Sequence, residues 1–155
     1  MIRHDGLTQC FASLAKRGMD TRPCLEQVLP QLATHVRGQV GVARMDVVLH
    51  SGTQRHLVDD CVVSPLAGDE RFVAACARRD GHAARRAAMA KRSKYHSPEL
   101  VPFAVETGGR FSPDARHFVK AMADCAVDPV AETAYIYRAL SSMLQDAIAR
   151  QLLSS

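Results

Sequence analysis

Asp46 sits between Met45 and Val47 in the run Arg44–Leu49, and Asp60 sits between Asp59 and Cys61 in the run Leu57–Val63. Both runs are apolar and rich in β-branched residues, so each acid interrupts a stretch that reads as strand. An isolated buried carboxylate costs several kcal/mol or shifts its pKa until it is neutral. Acids in such places are therefore paired, turned to solvent at a sheet edge, or bound to a cation. The polar connector Ser51–His56 carries Gly52 and suits a hairpin. The two aspartates, 14 residues apart around it, would lie roughly opposite each other across an antiparallel ladder. Two carboxylates that close repel unless a cation comes between them. Hard oxygen pairs suit Mg²⁺ (or Mn²⁺), which keeps waters and a substrate phosphate as its other ligands. The alternative is a pair of strand-edge aspartates facing solvent.

Opposite charge comes from the segment that follows. Residues 67–95 are Ala- and Arg-rich and favour helix, with a break or kink at Asp80-Gly81. Between Arg78 and Lys94 the segment carries Arg78, Arg79, Arg85, Arg86, Lys91, Arg92 and Lys94 against the single Asp80, seven positive charges to one negative. Lys91, Lys94 and Tyr95, at i, i+3 and i+4, share one face. Such a helix either is solvated or lies along a phosphate backbone. Beside a carboxylate pair, one of its lysines can stabilise charge developing on a scissile phosphate.

The elements that must position these groups follow from pattern. Leu7, Phe11 and Leu14 mark an amphipathic helix between Asp5 and Gly18. Pro23, Pro30, Gly38 and Gly41 leave room only for a short strand in 19–41, best placed at Cys24–Leu29. The hairpin and the basic helix come next, and Leu100–Val105 reads as a buried strand. Ser112-Pro113-Asp114 starts a helix that runs to about Cys125. A last helix from about Val130 carries Ile136, Leu140, Met143, Leu144, Ile148 and Leu152 on one face, to pack on the domain or on a partner. This is a single α/β (α+β) domain.

Composition excludes several classes. With 155 residues, 47% apolar and 23% charged, the chain is neither disordered nor too small to bury a core without a metal or disulfide. Five cysteines, odd in number and without a C-x-x-C pair, argue against a zinc ribbon or a secreted disulfide framework. No apolar run reaches the ~20 residues of a membrane span, and the N-terminus turns polar at once, so an intracellular protein, nuclear or cytoplasmic, is expected. Without Trp, and with 5% aromatics, a stacking platform for single-stranded bases is poorly supplied. The net charge of +4 is a mild bias toward anionic partners.

Five segments stand in one order: Arg3-His4-Asp5, Ala43-Arg44-Met45-Asp46-Val47, Asp60-Cys61-Val62-Val63-Ser64-Pro65, Lys91-Arg92-Ser93-Lys94-Tyr95, and Val101-Pro102-Phe103-Ala104-Val105-Glu106-Thr107-Gly108. This ordered set resembles the restriction-enzyme-like endonuclease domain of LINE-type retrotransposons, a branch of the PD-(D/E)XK nuclease superfamily. The resemblance implies an αβββαβ core over residues 3–110, with 111–155 as a C-terminal helical extension packed on it. It also implies that Asp46 and Asp60 are metal ligands, that Lys91 or Lys94 is the catalytic lysine, and that Glu26 is an additional acid unless it is a plain surface residue. Met45 stands where the branch has proline. Val62 occupies the place where the wider superfamily carries its lysine, so that role passes to the helix. The chain opens at the Arg-His-Asp segment with no zinc knuckle or reverse transcriptase ahead of it, and so resembles a detached piece of such an element.

The expected function is Mg²⁺-dependent nicking of DNA, with Arg78, Arg79, Arg85, Arg86, Arg92 and Tyr95 on the nucleic acid. Two alternatives are a nuclease-derived domain that binds nucleic acid without cutting it, and a small scaffold that forms a homodimer through the Ile136–Leu152 stripe.

Overall fold

The computed structural model describes residues 5–19, 21–36 and 39–153. The element order is α1 (Asp5–Met19), β1 (Cys24–Val36), β2 (Gln39–Ser51), β3 (Gln54–Val63), α2 (Glu70–Arg78), α3 (His82–Lys94), β4 (Leu100–Glu106), α4 (Pro113–Ala123) and α5 (Pro129–Leu153). The strands form one mixed sheet in the order β1-β2-β3-β4, antiparallel except for the parallel pair β3 and β4. The parallel pair needs a crossover, which α2 and α3 supply.

Side-chain alternation along β3 assigns the two faces. Val58 packs with α1, α4 and α5 in the main core, where Phe11 meets Phe103 edge-on at 4.8 Å and stacks on Phe118 at 5.6 Å. Leu57 packs on the other face with Tyr95 and Leu100, and Cys61 with Ala84 and Ala88 of α3. The alanines let α3 lie close on the sheet. The stripe on α5 is consumed here: Ile136, Leu140 and Leu144 are buried against α1 and α4, whereas Leu152 is 74% exposed. A dimer built on that stripe would have to empty the core first. Residues 111–153 thus share one core with the rest.

One expectation needs correction and another is narrowed. Strands β1 and β2 run 13 residues each, far longer than the prolines and glycines suggested. Pro30 falls in the register shift between Leu29 and Ala33 on an edge strand, where a missing N–H leaves no ladder partner stranded. Of the break or kink expected at Asp80-Gly81, the structure has the break, so the long basic helix is two: Arg79, Asp80 and Gly81 separate α2 from α3, and Gly81, at φ 65°, caps α3 in a left-handed conformation that suits glycine. The hairpin turn is only Gly52-Thr53, with Gly52 at φ 58°. Among the described residues no helix is long and apolar enough to cross a membrane. Arg3 and His4 of the first motif lie outside the described residues.

Candidate active site

The ladder between β2 and β3 ends at Val47↔Val58. Past that point β3 continues along β4 and β2 along β1, so the sheet forks where Asp46 and Asp59-Asp60 begin. Regular alternation also breaks on β2: Met45 and Val47, two residues apart, pack in different clusters. Asp46 occupies the break. On its other side the register sets Glu26 opposite it, between Leu25↔Val47 and Gln27↔Met45, and Glu26 adopts φ 50°, a left-handed conformation that costs energy for a non-glycine residue.

The backbone of Asp60 joins the site. Its N–H donates to Asp46 Oδ2 at 2.7 Å, and its carbonyl accepts from Lys91 Nζ at 3.1 Å. Its carboxylate, on the α1 face, accepts from Thr8 Oγ1 at 2.7 Å. Asp59 leaves the opposite face of β3 and forms an ion pair with Lys91, Asp59 Oδ1 to Nζ 2.5 Å. Asp59 and Asp60 are both nearly buried, and Asp59 Oδ2 has no hydrogen-bond partner. Continued one step past Val47↔Val58, where the ladder ends, the register would set Asp59 rather than Asp60 opposite Asp46, and Asp60 comes to Asp46 through its amide.

Electrostatics follow from this crowding. Burial raises the Asp46 carboxyl. The charge of Asp60 adds to this, as do the charge of Asp59 and the hydrogen bond protonated Asp46 gives it. Against the Asp60 N–H, these lift Asp46 to about 7. Burial works against the charge of Lys91, but the Asp59 carboxylate outweighs it and holds the ammonium above its ordinary value. Cys61, buried beside the same acids, is pushed up to about 11 and is no nucleophile at neutral pH.

Three carboxylates faced by one lysine leave a negative site in which Asp59, beyond its ion pair with Lys91, finds a donor among the described residues only in a protonated Asp46. A divalent cation fits that donor set. Among the described residues no three Asp, Glu, His or Cys side chains form a ready-made cage. Mg²⁺ needs none, because it commonly takes one or two carboxylates and fills the rest of its shell with water and phosphate. Asp46 and Asp60 are the residues that would hold it.

The remaining expected residues separate. Lys94, one turn beyond Lys91, places its ammonium 4.5 Å over the Tyr95 ring rather than on the acids. Tyr95 is 3% exposed and belongs to the core, so it is not a nucleic-acid contact. Glu26 is exposed and paired with Arg44 at 2.6 Å. Arg78, Arg79 and Arg85 face solvent, Arg86 lies over the Phe72 ring at 5.0 Å, and Arg92 pairs with Asp114. Two residues were not anticipated, Asp59 and Thr8, and Glu106, named in the fifth segment without a role, acts as a support. Buried Glu106 Oε1 accepts the Ala83 and Ala84 amides at 2.9 and 3.2 Å, tying the end of β4 to the start of α3 and so fixing the helix that carries Lys91. Asp59 was legible in one signal, because a turn centred on Gly52-Thr53 maps 46 onto 59.

No protein-family model matches the chain, and no curated protein matches it.

Proposed function

We propose that this chain is a PD-(D/E)XK-like endonuclease domain, related to the restriction-enzyme-like domains of LINE-type retrotransposons, that nicks DNA by Mg²⁺- or Mn²⁺-assisted phosphodiester hydrolysis. One observation carries the reading: Asp60 links Asp46 through its N–H and Lys91 through its carbonyl, so two acids and one lysine meet at the mouth of a forked sheet. The order of helix, three strands, helices and strand agrees with it.

Asp46 and Asp60 hold the ion, and Thr8 fixes the rotamer of Asp60. Bound there, Mg²⁺ supplies a Lewis acid that polarises the phosphate and lowers the pKa of an attacking water. Lys91 remains protonated at neutral pH and places a full positive charge where the pentavalent phosphoryl group becomes more negative. Asp59 aims that ammonium. Water would form the new P–O bond as the P–O bond to the departing strand breaks, and the proton it loses would end on the hydroxyl of that strand or in solvent.

A second reading draws on the same ion pair. Lys91 held on Asp59 at 2.5 Å can be purely structural, in which case the domain binds nucleic acid without cutting it. Incubating supercoiled plasmid with Mg²⁺ or EDTA separates the two. Hydrolysis predicts open-circular product in Mg²⁺ alone, lost in Asp60→Ala with the circular dichroism unchanged. Equal nicking by parent and Asp60→Ala overturns the assignment, and retention of plasmid without nicking selects the binding reading.

A further inference from the structure

The end of β4, the starts of α3 and α4, and one face of α5 enclose an open pocket of about 300 Å³. Three arginines line it, Arg85, Arg110 and Arg116, together with the hydroxyl-bearing Tyr137 and Ser141. The only acid on its wall among the described residues is Asp80, which pairs with Arg110 at a site more than half exposed on both sides. Such an exposed pair is worth little and yields readily to a stronger anion. Arg116 is near enough to Tyr137 to oppose the upward pull of burial on its phenol. Helices α3 and α4 both direct their N-terminal ends here, which adds partial positive charge, reduced at α3 by Glu106.

We infer that this pocket binds a phosphate group of a polynucleotide backbone. Planar guanidinium forks match the paired oxygens of phosphate, and hydroxyls supply the neutral donors such a group also accepts. The choice of a polynucleotide over an acidic peptide rests on the nuclease reading; the pocket's preference for an oxyanion does not. Placement supports that choice. β3 and β4 run in parallel, and both the β2–β3 fork and the pocket lie toward their C-terminal end. From Phe103, the neighbour of Asp60, β4 runs three residues, or about 10 Å, to Glu106, and the pocket begins beyond it at Gly109 and Arg110. A strand lying across this end of the sheet would seat one phosphate in the pocket while another stands at the acids.

The test is fluorescence anisotropy of the full chain on a labelled duplex in EDTA, titrated with salt. Because nothing is cut in EDTA, failure of plasmid nicking leaves this measurement intact. Arg85→Gln, Arg110→Gln and Arg116→Gln should each weaken binding, and the triple variant, which gives up the one phosphate seated there, should make the slope of log K against log salt shallower by about 0.9. Arg150→Gln, which removes a charge on the far part of α5, should leave the slope unchanged. The inference is overturned if the parent does not bind the duplex, if the pocket variants match the parent, if Arg150→Gln acts equally, or if polyglutamate competes as well as a polynucleotide of the same charge.

Discussion

Replacing Lys91 separates the two tasks its ammonium combines. Lys91→Met leaves Asp59 buried and without its counter-charge, which should cost about 3 kcal/mol or more in urea unfolding. It should also slow nicking by about 10²–10³. Adding Asp59→Asn removes the stranded charge, so the double variant should regain stability without regaining activity. Recovery of both would make the pair merely structural. Lys94→Met, whose ammonium only covers the Tyr95 ring, should leave nicking close to the parent's. Asp46 gives a pH test. Its carboxyl is lifted to about 7 in the fold from an ordinary 3.8, so the folded chain retains a proton that the unfolded chain sheds. In metal-free protein this contribution to stability is present below about pH 3.8 and is lost as the pH rises through about 7. Asp46→Asn cannot shed that proton, and its melting temperature should vary less between those values. A parallel course for the two proteins would show that Asp46 titrates normally. At this scale the sequence was informative about residue type and not about partners. Asp46 and Asp60 stood out because acids in apolar strands need a reason. Asp59 did not, because adjacent strand residues face opposite ways and the turn's two-residue length decides which acid is opposite Asp46.

Among the elements, α3 does the positioning, and Glu106 holds its start. Glu106→Ala strips two buried amides of their acceptor and should cost roughly 1–3 kcal/mol. Because the N-terminus of α3 is then loose, nicking should fall further than the folded fraction does. Glu106→Gln keeps the carbonyl oxygen and should restore most of both; equal loss in the two variants would place the effect in charge rather than in the amide contacts. The helix itself was legible from its alanines, but its rotation was not, since that depends on Ala84 and Ala88 seating on β3 and β4. Hence Lys91 and Lys94 stood level in the sequence and differ in the fold. The hairpin and β4 were legible from β-branched runs. The length of β1 was not, because Pro30 is tolerated only by virtue of the edge position and the register shift, neither of which is local information.

For the whole molecule, the sheet separates a large apolar core on one face from the single helix α3 on the other, and the acids sit where β2 and β3 part. The amphipathic stripe of α5 was visible in the sequence, but whether it met the domain or a partner was a tertiary question that α1 and α4 answer. Leu140, 1% exposed, lies in the core that α1, α4 and α5 share. Leu140→Ala should therefore lower unfolding stability by about 2–5 kcal/mol without changing the sedimentation coefficient of the folded protein. A change in association state instead would place the stripe at an interface. The most direct test of the metal site is a calorimetric titration of the folded chain with Mn²⁺ or Mg²⁺, alongside Asp46→Asn and Asp60→Asn. The parent should bind saturably, with release of a proton near neutral pH, and both variants should bind far more weakly. Binding that persists unchanged in both, or a parent that takes up no divalent ion at all, would contradict the metal site.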